Sequence, residues 1–157
     1  MIRIKNLMAA LLCSAATVCV ADGFVTLDRV AAARVVSAAS HSKPTIVALW
    51  SAECVHCKKN LKLFAEMAKS HPQLKLITIA AEPAEEGLAQ PLEHLGVPGT
   101  RFVYGAEAPE ALAYALDPKW RGELPRTILF DGRGGKVALS GVITEATARA
   151  SLGLAAN

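Results

Sequence analysis

An α/β fold built on a mixed β-sheet with helices on its faces is what the sequence predicts, from three observations. Residues Thr45–Trp50 form a continuous apolar run rich in β-formers, which suits a strand buried on both faces. A helical period follows over 57–70 and a second apolar run over 74–80, so strand, helix and strand come in the order of a βαβ unit. Near the end, the runs Arg126–Phe130 and Lys136–Ser140 flank a glycine-rich turn at 131–135, the pattern of a pair returning antiparallel.

The elements follow in order. Phe24–Leu27 reads as a short extended segment. A helix from Asp28 carries Val30, Ala31, Val35 and Ala38 on one face, and turn-forming residues at 40–44 end it. In the helix over 57–70, Leu61, Phe64, Ala65 and Ala68 recur at helical spacing, with Leu63 and Met67 widening the stripe, and Pro72 stops it. The pattern is weaker over 81–122: 86–95 reads as a short helix with Pro91 inside it, 96–99 as a turn, 101–104 as a strand and Pro109–Leu116 as a helix. Thr144 is suited to cap a last helix running to Leu152. No internal repeat or low-complexity tract is present.

The 157 residues suit one domain, and 52% of them are apolar, enough to bury a core. Seventeen basic residues against fourteen acidic leave a formal charge of +3. With no long basic run or aromatic–basic alternation, nucleic acid is not an expected partner. The first residues have the layout of a secretory leader: Arg3 and Lys5 without an acid, an apolar run over 7–20, then Ala21 ahead of Asp22. Fourteen apolar residues fall short of the ~20 a spanning helix needs. Cleavage after Ala21 is therefore expected, leaving 22–157 as the folded domain, with an uncleaved anchor as the alternative. Leu12 before Cys13 and Val18 before Cys19 do not suit a lipoprotein site.

Loss of the leader removes Cys13 and Cys19 and leaves Cys54 and Cys57. An exported pair meets oxidising conditions and forms a disulfide. A loop so short yields little chain entropy, so chemistry is the better reason for the pair. At the N-terminus of a helix, unpaired N–H groups and the positive end of the dipole favour a thiolate, the nucleophile of disulfide exchange. Cys54 is placed to attack and Cys57, one turn further in, to resolve. His56 can donate a hydrogen bond or carry positive charge near Cys54, which makes a disulfide more oxidising, and Glu53 pushes the other way. Lys58 excludes a c-type haem motif, which needs His there. A four-ligand zinc site lacks further donors, since His41, His71 and His94 are scattered. Copper(I) held by Cys54, Cys57 and His56 stays open.

These residues resemble the thioredoxin superfamily, and within it the exported TlpA-like and ResA-like reductases. K-P-T-I-V-A-L-W-S-A-E-C-V-H-C-K over 43–58 is similar to the family's central strand, active site and helix. E-L-P-R-T-I-L-F-D-G-R-G-G-K over 123–136, with Gly141, is similar to its second signature. The resemblance implies a thioredoxin-like three-layer fold with a central mixed β-sheet and flanking helices. It also implies a cis Leu124–Pro125 bond beside the cysteines, with the backbone of Leu124 presented to a substrate strand. Pro98 in G-V-P-G-T reads as an ordinary turn proline, and 81–122 as the strand and helix that TlpA-like proteins insert. The chain departs from the family at Glu53, where Trp is usual, and at Ala48, where thioredoxins carry a buried acid. His56 replaces a proline common in the reductases and resembles the exported oxidants instead.

Trp50 is expected to pack near the site, with a substrate contact as the lesser reading. Trp120 and Arg121 stand equally for cleft or surface loop, and Glu82, Glu85 and Glu86 for a solvated acidic patch. The expected function is a periplasmic thiol:disulfide oxidoreductase, more a reductase than an oxidase, acting on protein thiols and disulfides without a cofactor. The resemblance allows cytochrome c maturation as the pathway, a membrane-bound thiol reductant as electron donor and a monomeric protein. Disulfide oxidase or isomerase, and copper carrier, are the alternatives.

Overall fold

The computed structural model of the chain describes residues 23–155. The expected leader and its expected cleavage site, with Cys13 and Cys19, lie outside them. In chain order the elements are β1 (Phe24–Leu27), α1 (Arg29–Val35), β2 (Thr45–Trp50), α2 (Val55–Ser70), β3 (Lys75–Ala80), α3 (Gln90–His94), β4 (Thr100–Tyr104), α4 (Pro109–Leu116), β5 (Arg126–Phe130), β6 (Lys136–Ser140) and α5 (Glu145–Leu152).

One sheet holds all six strands in the order β1-β4-β3-β2-β5-β6. The first four run parallel, and β5 pairs antiparallel with β2 and with β6. All six residues of β2 are buried, because alternate side chains serve opposite faces. Ile46, Ala48 and Trp50 enter the core beneath α2, α3 and α5, and Val47 and Leu49 enter the core beneath α1 and α4. The fold is therefore the expected three-layer sandwich. The apolar run of β2 is continuous because neither face meets water.

The segment 81–122 is woven into this sheet. Its strand β4 lies between β3 and β1 and is the partner that holds β1. Gly99 makes the approach to β3 possible. At φ +98° it lies so close to the carbonyl of Leu76 that a Cβ would stand 1.9 Å from the oxygen, which no other residue type can accommodate.

Helices α1 and α3 depart from the sequence expectation in ways that change which residues face inward or lie in the first turn. Asp28 caps α1 by accepting from Ala31 N–H at 2.7 Å, which starts the helix at Arg29 and turns Ala32 and Val36 inward. Val30, expected inside, is 68% exposed, and Ala38 falls in a short 3-10 turn, Ala38–Ser40, beyond the helix. Helix α3 begins later than the expected 86, at Gln90, so that Pro91 lies in its first turn. There the missing N–H has no intrahelical partner to lose.

Candidate active site

The cysteine pair lies where β2 gives way to α2. Cys54 N–H donates to the carbonyl of Ser51 at 3.2 Å, closing a tight turn. Cys54 is then the N-cap of α2, its sulfur accepting from the N–H of Cys57 at 3.1 Å. The helix starts at Val55, two residues before the expected 57, because Cys54 itself supplies the cap. No acid occupies the first turn of this 16-residue helix, so nothing there offsets the positive end of its dipole. Cys54 and Cys57 form a disulfide with an S–S distance of 2.06 Å. Cys57 is 1% exposed, whereas Cys54 is half-buried. One sulfur can therefore be reached from outside and the other cannot.

His56 and Glu53, the expected redox-tuning residues, are both exposed. Among the described residues, neither side chain makes a hydrogen bond or ion pair. Nor do Cys54, Cys57 and His56 converge into a three-donor metal site among the described residues.

Pro125 follows a cis bond from Leu124. The register of β5 on β2 places Arg126 opposite Leu49; one step further, Pro125 comes opposite Trp50. It therefore lies at the same end of the sheet as the cysteine turn. Pro125 is buried, and its carbonyl accepts from Gly141 N–H at 2.9 Å. The Gly141 carbonyl accepts from Asn60 Nδ2 at 3.0 Å, and Asn60 Oδ1 accepts from Ile143 N–H at 3.2 Å. Asn60, 2% exposed on α2, thus ties the helix of the cysteines to the strand pair of Pro125. Leu124 is half-buried and packs against both cores. Among the described residues, its peptide N–H and carbonyl meet no partner.

Trp50 packs as core, the main expectation for it: it is 0% exposed, and its Nε1 is buried without a partner among the described residues. The alternation of β2 points it beneath α2, which does not favour the lesser reading of a substrate contact. Two threonines flank the position of the absent acid. Ala48 stands in register with Thr78 on one side and Thr127 on the other, and both hydroxyls are buried without partners among the described residues.

The loop before Pro125 is framed by charges. Arg126 pairs with Asp117 at 2.5 Å and donates to Ser140 Oγ at 2.8 Å. Burial works against the charge of Asp117, yet hydrogen bonds from Arg126 and from Lys119 N–H, with the positive charge of Arg126, hold its carboxyl below the usual range. Trp120 is 8% exposed and donates through Nε1 to the carbonyl of Glu123 at 2.7 Å. Glu123 is held low by hydrogen bonding, first from Ser140.

Trp120 and Arg121 do line a cleft. With Ala81, Tyr104, Tyr114 and Leu124 they border a groove of about 500 Å³ beside Pro125. Burial pushes the Tyr104 hydroxyl up to about 12, and it too has no partner among the described residues. A second groove of about 540 Å³ lies against the cysteine turn, between Ala52, Glu53 and Lys58 on one wall and Pro91, His94 and Leu95 on the other. The segment 81–122 walls both.

The sequence places Glu82 in a solvated acidic patch with Glu85 and Glu86, an expectation the structure corrects. Glu85 and Glu86 are exposed as expected, but Glu82 is half-buried and its carboxylate accepts from Ala52 N–H at 2.6 Å. No sequence signal marks it, because its partner is thirty residues away.

No family model matches the chain, and no curated protein sequence does. Solved structures do. A secreted disulfide oxidoreductase of Mycobacterium tuberculosis, described as homologous to E. coli DsbE, superposes with a TM-score of 0.57 at 15% identity over 74% of this chain and 84% of that one. A thioredoxin-related protein of Neisseria meningitidis serogroup B gives 0.56 at 18% identity over 71% and 84%. StoA from Bacillus subtilis gives 0.51 at 19% over 71% and 83%. At such identities the likeness is one of fold, and the fold is thioredoxin-like.

Proposed function

We propose, from this thioredoxin-like fold with a cysteine pair at the head of α2, that the protein is an exported thiol:disulfide oxidoreductase that reduces disulfides of protein substrates. The observation that carries the reading is the asymmetry of the pair: Cys54 is half-buried and caps the helix, whereas Cys57 is 1% exposed behind it. In the reduced protein, the Cys54 thiolate attacks one sulfur of a substrate disulfide. A mixed disulfide forms and the other substrate sulfur leaves as thiolate. Cys57 then loses its proton and attacks Cys54 Sγ, which releases the second substrate thiolate and closes the Cys54–Cys57 bond. Two electrons pass to the substrate, and its two thiolates take up protons. The structure holds the oxidised end of this cycle, and a dithiol reductant, membrane-bound in the reading favoured here, must reset it.

Leu124 supports the substrate side of the reading. Its unpaired peptide groups sit before Pro125, at the edge of the groove lined by Trp120 and Tyr114. An extended substrate segment would pair there. The reducing direction rests on His56: the side chain that would make the pair oxidising is exposed and, among the described residues, makes no hydrogen bond. Export rests on the leader-like residues 1–21, and a cytochrome c maturation substrate on the family resemblance alone.

The deciding measurement is the equilibrium potential of the Cys54–Cys57 pair against glutathione. A value near the −270 mV of a thioredoxin supports a reductase, and one near −120 mV reverses the direction to oxidase. Reduced protein that leaves insulin disulfides intact would remove the activity itself.

A further inference from the structure

We infer that Glu82 is a positioning residue for the nucleophilic cysteine: its carboxylate holds the turn in front of Cys54 and sets the acidity of that thiol in the reduced protein. The inference rests on the reading of Cys54 as the attacking sulfur.

Glu82 stands just past the end of β3, and its surroundings leave it little freedom. The preceding residue, Ala81, donates its N–H to the Trp50 carbonyl at 2.8 Å, and the carbonyl of Glu82 accepts from Tyr104 N–H at 3.1 Å. The main chain is thus pinned from β2 on one side and β4 on the other. From this base the side chain reaches Ala52 N–H at 2.6 Å, two residues before Cys54, in the turn that Cys54 N–H closes on Ser51. A hydrogen bond from an amide to a carboxylate is a strong one, so the turn carrying the nucleophile is clamped by a fixed negative charge.

That charge opposes the helix. The N-terminus of α2 favours the Cys54 thiolate, and a carboxylate nearby disfavours it. The other titratable groups around the turn are Glu53 and His56 on the turn and helix, Lys58 on the helix, His94 across the groove, and Glu85 and Glu86 on the loop beyond Glu82. All but Lys58 are exposed. Salt screens exposed charges beyond a Debye length of about 8 Å at physiological ionic strength, a length that shrinks toward about 3 Å at 1 M, and screens half-buried, fixed ones much less. Glu82, rather than Glu53, is therefore the acid that tunes the pair toward reduction.

Thiolate absorbance followed against pH tests this on reduced wild type, Glu82→Gln, Glu82→Ala and Glu53→Gln, at low salt and at about 0.5 M salt. Gln keeps the acceptor for Ala52 and removes the charge. Glu82→Gln is expected to lower the Cys54 pKa by about half a unit with an unchanged melting temperature, and to move the glutathione equilibrium about threefold, about 14 mV less negative at 29.6 mV per tenfold. Glu82→Ala is expected to show the same acid shift with a lower melting temperature. Glu53→Gln should lose most of its effect in high salt, where that of Glu82→Gln persists. A Cys54 pKa in both Glu82 variants equal to the wild-type value overturns the inference, as does a Glu53→Gln shift that matches Glu82→Gln in high salt. The titration needs no substrate, so inactivity of the wild type toward insulin would count against the proposed function and leave this result standing.

Discussion

The turn at 51–57 and the loop at 117–125 meet at the same end of the sheet but are built differently. The turn is held mostly by main-chain groups close in sequence: Cys54 N–H on Ser51, Cys57 N–H on Cys54 Sγ. Among the described residues, its long-range hydrogen bond goes to the Glu82 carboxylate. The loop is held by charged and aromatic side chains, through Arg126 with Asp117 and Ser140 and through Trp120 on Glu123. The difference separates chemistry from support. Reactivity at the turn depends on helix geometry and one nearby charge, whereas the shape of the loop depends on ionisation and on contacts that any single substitution can remove. Asn60 and Gly141 join the two.

Substitutions can break this comparison. The largest effect is expected at the turn: Cys54→Ala should reduce insulin-disulfide reduction to the buffer background while the melting temperature changes little. Cys57→Ala should instead accumulate a mixed disulfide with substrate, visible as a higher-mass band on a non-reducing gel, because the resolving thiol is gone.

Next come the supports. Asp117→Ala leaves Arg126 without its main partner in a site where both side chains are only about a tenth exposed, and should cost about 2–3 kcal/mol in urea denaturation. Asn60→Ala strands the Gly141 carbonyl and Ile143 N–H, at about 1–3 kcal/mol for each group that water does not reach. If either change removed activity without loss of stability, the division between chemistry and support would fail.

The smallest expected effect is in pH dependence. The Asp117 carboxyl is held below its value of 3.8 in the unfolded chain. A group with a depressed folded pKa contributes stability that is fully present above its unfolded value and lost as pH falls through its folded value. Wild type should therefore lose stability more steeply than Asp117→Asn as the pH drops below about 4, measured by urea midpoints at successive pH values. Parallel curves would show that the pair contributes no pH-linked stability.

Most of the fold was legible because its signals are local. The continuous apolar run of β2 is buried on both faces, as its composition requires. Helices α4 and α5 and the strands β5 and β6 fall at their expected bounds, and Thr144 caps α5. Val30 was misplaced because a seven-residue helix offers two stripes, and the cap at Asp28 chooses between them. Sequence alone also determined the cysteine pair at a strand-to-helix turn and a proline before a strand much later in the chain, since spacing and residue type mark both.

Tertiary structure decided what lies around them. Glu82 turns from a patch of surface charge into a clamp on Ala52, and Asn60 links α2 to Gly141. The segment 81–122 places β4 inside the sheet and walls both grooves. The physical reason is common to all three. Backbone propensity and hydrophobic period act over a few residues and can be read along the chain, whereas a hydrogen bond between residues thirty or eighty positions apart exists only once the sheet has brought them together.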